Sequence, residues 1–509
     1  MKKHLLPIIL FCATINISAQ EYLHINSHWH GGYIPLELID SITYGEASNN
    51  RMLPAIMAQD PNISIFNKAL EITHMSDSLL GEYNYKFQEE DGKIYDGFQG
   101  NKVYGLPKIK KGYTAFAETD SVYAAHGINN IEDLKAYAAR VYNEMYPEDA
   151  SITDPTDRRN SLNRFVSYHL LDIKADKNNL TAANIISNVG KEIKAKYNRN
   201  MIDIADWYET MMPHSLIKCS SPLLSDDKER VFINRRGVGD KPVRNIFIKG
   251  AEIINTSDNA LQGTALNGNY HYISDIIAYD KQTQEVVLDE QIIVNNTTMS
   301  PEFFNNDLRI HFPYSSIAAA NNVYERGIYV PNMAMKNIRV YTPSTQIYYL
   351  FSDGWYDYQT DEMFITGGYD FDIKLPSLPA GTYELNIGYS GTRSTALLYF
   401  DEEFCDTIRF NSAEDWESDY RLETPEAIAK NDSLLHANGY RKGLEYYYHH
   451  TSGTSMRDYA SCLRRIITTF TTDGKSDHYL RFKNATESYL ELHIDYIELT
   501  PTRLLKEYK

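Results

Sequence analysis

The chain has 509 residues, a hydrophobic fraction of 43% and a formal net charge of −18. That length exceeds what one core serves, and the apolar content is too high for a disordered chain, so two or three packed domains are expected. The negative balance argues against a nucleic-acid partner and against electrostatic docking on anionic lipid, since both need clustered Lys and Arg.

Residues 1–19 carry Lys2 and Lys3, an apolar run from Leu5 to Ile15, and small or polar residues ending in Ser18-Ala19. This is the layout of a secretory signal peptide with cleavage after Ala19. The run is shorter than the about 20 residues that span a bilayer. Cys12 offers a rival reading as a lipid anchor. Phe11 before it opposes that reading, because signal cleavage favours small residues. The mature chain is expected to be exported, either held at the cell surface or outer membrane or secreted, with no membrane-spanning segment. Cys219, Cys405 and Cys462 remain. They are too scattered for a disulfide framework or a CxxC metal knuckle. Free buried thiols are expected, with a single Cys405–Cys462 bridge as the alternative.

Residues 20–50 suggest a small hairpin: Tyr22 to Tyr44 alternates apolar and polar residues and carries Gly31-Gly32. Residues 51–282 mix helical and strand patterns. After Asp60-Pro61-Asn62, the series Ile63, Phe66, Ala69, Leu70, Met75 and Leu79-Leu80 has helical spacing. Tyr113 to Ala117 reads as a buried strand that stops at Glu118-Thr119-Asp120, where Thr119 or Asp120 can cap the next helix. Ile131 to Tyr142 is a second helix, with Leu134, Ala138 and Val141 on one face. Arg159 to Leu171 is a third, with Leu162, Phe165, Val166, His169 and Leu170 clustered. Ala265 to Tyr270 looks like a strand entering a tight turn, because Asn267-Gly268 suits the positive φ angles of a type I′ hairpin. His271 to Ile277 would return as a strand with His271, Ile273 and Asp275 on one face.

Residues 283–321, rich in Asn and Thr, read as a connector. Residues 322–502 are dominated by strand patterns: Thr382 to Tyr389 after the Pro379-Ala380-Gly381 turn, then Ala396 to Phe400, Asp477 to Phe482 and Tyr489 to Leu499, with a helix over Pro425 to Asn438. Short strands between Gly and Pro turns favour an all-β sandwich. Residues 503–509 form a tail.

Three strings carry a family resemblance: YTAFAETDSVY (residues 113–123), FVSYHLLD (165–172) and ALNGNYHYISDI (265–276). In that order, and in that helix and strand context, they resemble the signature of fasciclin domains, which are extracellular adhesion modules. Tyr113, Phe116, Ala117, Thr119 and Asp120 match the first block, with Glu118 where the family usually has Pro. Tyr168-His169 matches the Tyr-His pair associated with adhesion in some members, and Asn267, Gly268, His271 and Ile273 match the closing block. The resemblance covers somewhat under half of the chain. It departs from the family in an added segment around Glu89 to Lys111 and in a variable middle from Lys174 to Gly250. It implies an α+β fasciclin domain over 51–282, a wedge of β-sandwich with helices packed on it. Residues 322–502 resemble, more weakly, the C-terminal jelly-roll or galactose-binding-like sandwich of fasciclin proteins of the Bacteroidetes type.

Candidate binding residues are Tyr168 and His169 together with two aromatic clusters, Trp355, Tyr356 and Tyr358, and Tyr446, Tyr447 and Tyr448. Flat rings pack on the apolar faces of sugars, although Tyr also favours strands and cores. Tyr168, His169, His271 and Asp120 read as fold-holding residues, since buried polar groups are usually satisfied by hydrogen bonds. His24, His28 and His30 would share a strand face, but no acidic or thiol partner lies near them in sequence, and Asp353 and Asp357 lack the register of a calcium loop. No phosphate loop, HExxH, GxSxG or Cys-His signature is present. These features point to an exported, non-enzymatic adhesion or binding protein without a cofactor. It would contact protein or glycan through both domains and serve as an accessory to glycan uptake. The alternative is a polysaccharide-active enzyme, glycoside hydrolase-like, with two carboxylates converging in the C-terminal sandwich.

Overall fold

The computed structural model describes residues 22–26, 31–35, 51–88, 93–96, 101–106, 108–181, 204–222, 230–237, 241–254, 265–308, 327–332, 335–351, 361–388, 391–392, 394–408, 424–442, 463–486 and 491–505. Two compact units are present, residues 1–48 and 49–509. In the first, β1 (Tyr22–Asn26) and β2 (Gly31–Pro35) pair antiparallel, with Tyr22 opposite Pro35. Gly31 and Gly32 lie inside β2, opposite Asn26 and Ile25.

The second unit has a β-rich α+β fold. Its chain runs through α1 (Leu53–Met57), α2 (Ser64–Ile72), α3 (Met75–Ser78), β3 (Tyr83–Gln88), β4 (Ile94–Asp96), β5 (Lys102–Gly105), β6 (Lys108–Lys110) and β7 (Tyr113–Glu118). There follow α4 (Asp120–Ala125), α5 (Ile131–Met145), α6 (Ser161–Tyr168), β8 (Leu170–Leu171), β9 (Ile204–Glu209), β10 (Leu216–Ser221), β11 (Phe232–Ile233), β12 (Ala251–Ile254) and β13 (Gly268–Ile273). One sheet collects these strands in the order β8-β7-β13-β12-β11-β10-β9.

The helices start where polar caps meet apolar periodicity. Thr119 accepts from the Val122 N–H at 3.3 Å to cap α4, and Asn130 accepts from Glu132 and Asp133 to cap α5. Asp120 ties two helices together: its carboxylate accepts from the Ile65 N–H at 3.0 Å and from the Ser64 hydroxyl at 2.6 Å, at the start of α2.

Two local expectations are corrected. The third helix ends at Tyr168 rather than running to Leu171. The His169 carbonyl accepts from the Phe116 N–H at 2.9 Å, and Leu170–Leu171 then pairs with β7 as an edge strand. The Asn267-Gly268 hairpin does not form. Neither residue has positive φ, and Gly268–Ile273 runs as one strand parallel to Tyr113–Glu118. Glycine is required at 268 for another reason: a Cβ there would sit 2.7 Å from the Tyr113 carbonyl and 2.8 Å from Leu53 Cδ2.

Beyond β13 come α7 (Lys281–Leu288), β14 (Ile292–Asn295), α8 (Asn296–Met299), α9 (Pro301–Asn305), β15 (Gly327–Val330), β16 (Ile338–Val340), β17 (Gln346–Phe351), β18 (Asp361–Thr366) and β19 (Asp370–Lys374). The remainder is β20 (Gly381–Gly388), β21 (Gly391–Thr392), β22 (Ala396–Phe400), β23 (Glu403–Ile408), α10 (Pro425–Ala437), β24 (Tyr440–Arg441), β25 (Arg464–Thr472), β26 (Tyr479–Asn484), β27 (Leu492–Ile494) and β28 (Tyr496–Pro501). Three larger sheets form, ordered β14-β28-β20-β25-β24, β21-β27-β18-β17-β15-β5-β4 and β16-β19-β26-β22-β23.

The stretch read as a connector is structured through Leu308. Its β14 pairs with β28, and its asparagines are buried hydrogen-bonding groups rather than loop residues. Asn305 accepts from the Lys174 N–H at 2.7 Å and donates to the Asp172 carbonyl at 3.0 Å. The segment around 89–111 also leaves the N-terminal half, since β5 pairs parallel with β15. Two main cores result and they interlock: Phe304 packs in the first, while Leu106, Ile109, Trp207 and Leu216 pack in the second. Among the described residues no helix is long and apolar enough to cross a membrane.

Candidate functional site

The residues carrying the fasciclin resemblance lie along the parallel pair β7 and β13 and at the end of α6. Glu118, at the end of β7, and His169, capping α6, are both fully buried and meet at 2.8 Å. The His169 Nδ1 lies 2.7 Å from the Phe165 carbonyl, which can only accept, so Nδ1 carries a hydrogen. A second proton must then lie between Nε2 and the Glu118 Oε1. Glu118 also accepts from the Tyr123 hydroxyl at 2.9 Å and from the Ile277 N–H at 3.3 Å. Tyr168 donates to the Leu216 carbonyl at 3.1 Å and accepts from Asn234, and burial pushes its phenol well above the ordinary value.

Asn267 is a buried clasp. Its Oδ1 accepts from the Leu53 N–H at 2.9 Å, and its Nδ2 donates to the Leu79 and Gly81 carbonyls. Tyr113, Phe116, Ala117 and Ile273 are core residues, while Thr119 and Asp120 cap helices. Tyr168 and His169 are therefore removed from the binding surface, because both are wholly enclosed.

His271 donates from Nε2 to the Ala175 carbonyl at 3.0 Å and stacks on Phe116. Burial pulls its imidazole down to about 4 from the ordinary 6.5. The folded state resists the proton that the unfolded chain takes up first, so this contribution to stability is complete above pH 6.5 and drains away as pH falls towards 4. About 3 kcal/mol should be lost across that window from this residue. Chemical denaturation at several pH values should therefore show a shallower fall for His271→Gln than for the wild type between pH 6.5 and 4. Equal slopes would refute the assignment.

A glycoside hydrolase needs a free acid and a free base or nucleophile. The described part of the C-terminal half does bring two carboxylates to one sheet face. Glu384 on β20 lies opposite Thr500 and Glu498 on β28 opposite Asn386, so the pair is diagonal. Arg441 grips Glu384 with two nitrogens, and one nitrogen of Arg464 reaches both oxygens of Glu498. Arg441 donates to Glu384 at 2.6 and 2.7 Å, and Arg464 donates to Glu498 at 2.8 and 3.0 Å. Burial alone would raise the Glu384 carboxyl, but the bonds and charge of Arg441 hold it below the ordinary range. A group held ionised in this way is a poor proton donor.

Open surface lies elsewhere. A cleft of about 300 Å³ sits between the turn at 211–215 and the C-terminal half, lined in part by Lys336, Lys374, Glu209 and Asp477. Lys336 meets Asp172 at 2.5 Å, and Lys374 meets Asp477 at 3.3 Å and Glu209 at 3.4 Å. Burial works against both ammonium groups, yet the facing carboxylates leave each held above its ordinary range.

From Lys374 the outer face of the sheet β16-β19-β26-β22-β23 continues the surface. Alternation sends Phe371, Ile373, Leu480, Phe482 and Leu398 into the core and their neighbours outward. Register then aligns one cross-strand row, Arg339–Asp372–Arg481–Tyr399–Phe404. Arg339 clamps Asp372 and lies 3.8 Å over the Tyr479 ring. Arg481 clamps Asp370 and lies 4.4 Å over Tyr341. Tyr341 is 46% exposed and Phe404 59%.

Neither a scan against family models nor a search of the curated proteins returned a match. The chemistry of these surfaces therefore rests on their own geometry.

Trp355, Tyr356, Tyr358, Tyr446, Tyr447 and Tyr448 lie outside the described residues, as do His28, His30, Asp353, Asp357, Cys12 and Cys462. Among the described residues, neither Cys219 nor Cys405 is joined in a disulfide. Sequence reasoning missed Glu118 as the partner of His169, and it missed the arginine–aspartate row. The signal for the first was an acid inside an otherwise apolar buried strand. For the second it was the strict alternation of Asp370, Asp372 and Lys374 with Phe371 and Ile373.

Proposed function

We propose that the protein is an exported, non-enzymatic adhesion or binding protein of the cell surface or exterior, built from a fasciclin-like part and a C-terminal β-sandwich of jelly-roll type. The observation that carries this reading is where the reactive side chains are used. Glu118, His169, Glu384 and Glu498 are enclosed and paired, whereas Arg339, Tyr341 and Phe404 on the outer sheet face are exposed to solvent. The parallel pairing of β7 with β13 supports the fasciclin-like part, because it joins the first and closing blocks of the resemblance. The interaction is with a glycan or protein outside the cell, in keeping with the export signal.

The test is affinity electrophoresis of the chain from Gln20 to Lys509 in gels containing polysaccharides, beside an assay for released reducing ends. Retarded migration with no release is expected. Release of reducing ends would favour the polysaccharide-active enzyme instead.

A further inference from the structure

We infer that the outer face of the sheet β16-β19-β26-β22-β23 binds an extended, uncharged polysaccharide, laid across the strands along the row Arg339–Asp372–Arg481–Tyr399–Phe404. This deepens the binding-protein reading above and rests on it. The first argument is shape. Five strands at the usual spacing make a row about 19 Å long, with Arg339 at one end and Phe404 at the other exposed to solvent. That matches a chain of several sugar units rather than a small molecule, which takes a concave pocket.

The second argument is the chemistry of the row. Tyr341 and Phe404 expose large aromatic surfaces at opposite margins of the face, Tyr341 directly after the first strand and Phe404 on the last. Exposed aromatics of this size on a sheet call for an apolar or sugar-ring partner. Between them the two arginines are fixed in place. Each uses Nε and Nη2 on its aspartate, which leaves its Nη1 side directed away from the clamp. A guanidinium clamped by an aspartate and packed on a tyrosine ring keeps a fixed donor direction, so hydroxyl groups of a ligand are read at little entropic cost.

The third argument is charge, and it selects the ligand class. Arg339 and Arg481 are neutralised by Asp372 and Asp370, and the hairpin tip bordering the face carries Asp401, Glu402 and Glu403. Across the whole chain the balance is −18. A polyanion would be repelled at long range and would find no unpaired arginine pair to replace its counterions. A neutral polysaccharide meets neither obstacle.

The experiment uses the chain from Gln20 to Lys509 with galactomannan, mixed-linkage β-glucan and soluble starch as neutral probes and polygalacturonate as the acidic one. Wild-type protein is expected to bind at least one neutral polymer, with little change in affinity as salt rises from about 50 to about 500 mM, because screening acts on charge alone. Phe404→Ala and Tyr341→Ala should each weaken binding about fivefold, as the loss of an exposed anchor does. Leu434→Ala, a 53% exposed residue on α10, should bind as wild type. Thermal unfolding of each variant checks that it is folded. Neutral binding left intact in both aromatic variants would overturn the placement on this face while sparing the binding-protein reading. Salt-sensitive binding of polygalacturonate alone would overturn the ligand class. Binding to none of the four polymers would overturn both the inference and the glycan arm of the proposed function.

Discussion

Replacing Glu118 with alanine is expected to lower the unfolding free energy by about 3–5 kcal/mol, the usual result of stripping one partner from a buried ionic pair. The geometry makes the loss large. Glu118 gathers His169, the Tyr123 hydroxyl and the Ile277 N–H around one carboxylate, all inside the first core. Without it, His169 keeps its bond to the Phe165 carbonyl but its Nε2 loses the partner it has in Glu118, and a buried hydroxyl and amide lose their acceptor. Guanidinium denaturation should show the midpoint falling with an unchanged slope. A double-mutant cycle with His169→Ala should return a coupling of at least about 1 kcal/mol, because the two residues share one proton. A loss below about 1 kcal/mol for Glu118→Ala would mean that Glu118 merely fills space.

The N-terminal half was legible where local signals and tertiary packing agree. The spacing of Leu134, Ala138 and Val141 and the cap at Thr119 predict helices that the structure contains, because an amphipathic stripe and a hydroxyl acceptor act over a few residues. Legibility failed where a residue's usual local meaning was overruled by a distant partner. Asn267-Gly268 has the composition of a type I′ turn, yet Asn267 is engaged by Leu53, Leu79 and Gly81, all more than 180 residues away. Among the described residues, two consecutive left-handed residues occur instead at Arg244-Asn245, where φ is 49° and 64°, and at Asp401-Glu402, between β22 and β23, where φ is 47° and 71°. The Asp401-Glu402 pair lacks the glycine that marks such turns in a sequence. It is held from outside, as Asp401 accepts from the Tyr479 N–H at 2.9 Å and from His478 at 2.7 Å.

The outer face of the sheet β16-β19-β26-β22-β23 illustrates a different limit. Tyr content directed attention to clusters that are contiguous in sequence, such as residues 446–448. On a sheet, however, neighbours across the strands come from distant segments, and a flat surface is assembled from single residues on five of them. Arg339, Asp372, Arg481, Tyr399 and Phe404 span more than a hundred positions, and only the register brings them into line. Apolar and polar alternation was visible in each strand, but strand order was not.

The second large effect is expected at the arginine–glutamate clamps of the sheet β14-β28-β20-β25-β24. Arg464→Met should cost about 3–5 kcal/mol, because Glu498 would remain buried with its charge uncompensated. The neighbouring bonds soften this only in part: Gln291 and Thr500 also donate to Glu498, at 2.6 and 2.8 Å, but neither carries charge. The paired substitution Arg464→Met with Glu498→Leu should recover at least half of that loss, since removing both charges abolishes the desolvation cost as well as the attraction. Thermal and urea unfolding of the single and double variants decide the point. A double variant as unstable as the single would mean that the clamp contributes net stability beyond offsetting its own burial. The same series bears on function. If Glu498 were an acid catalyst restrained by Arg464, then freeing it in folded Arg464→Met protein would raise release of reducing ends from a bound polysaccharide. If Glu498 instead holds the sheet together, unfolding shifts and that release does not. The second pattern is expected, because both oxygens of Glu498 are committed to Arg464 and the carboxylate lies 1% exposed between neighbouring strands.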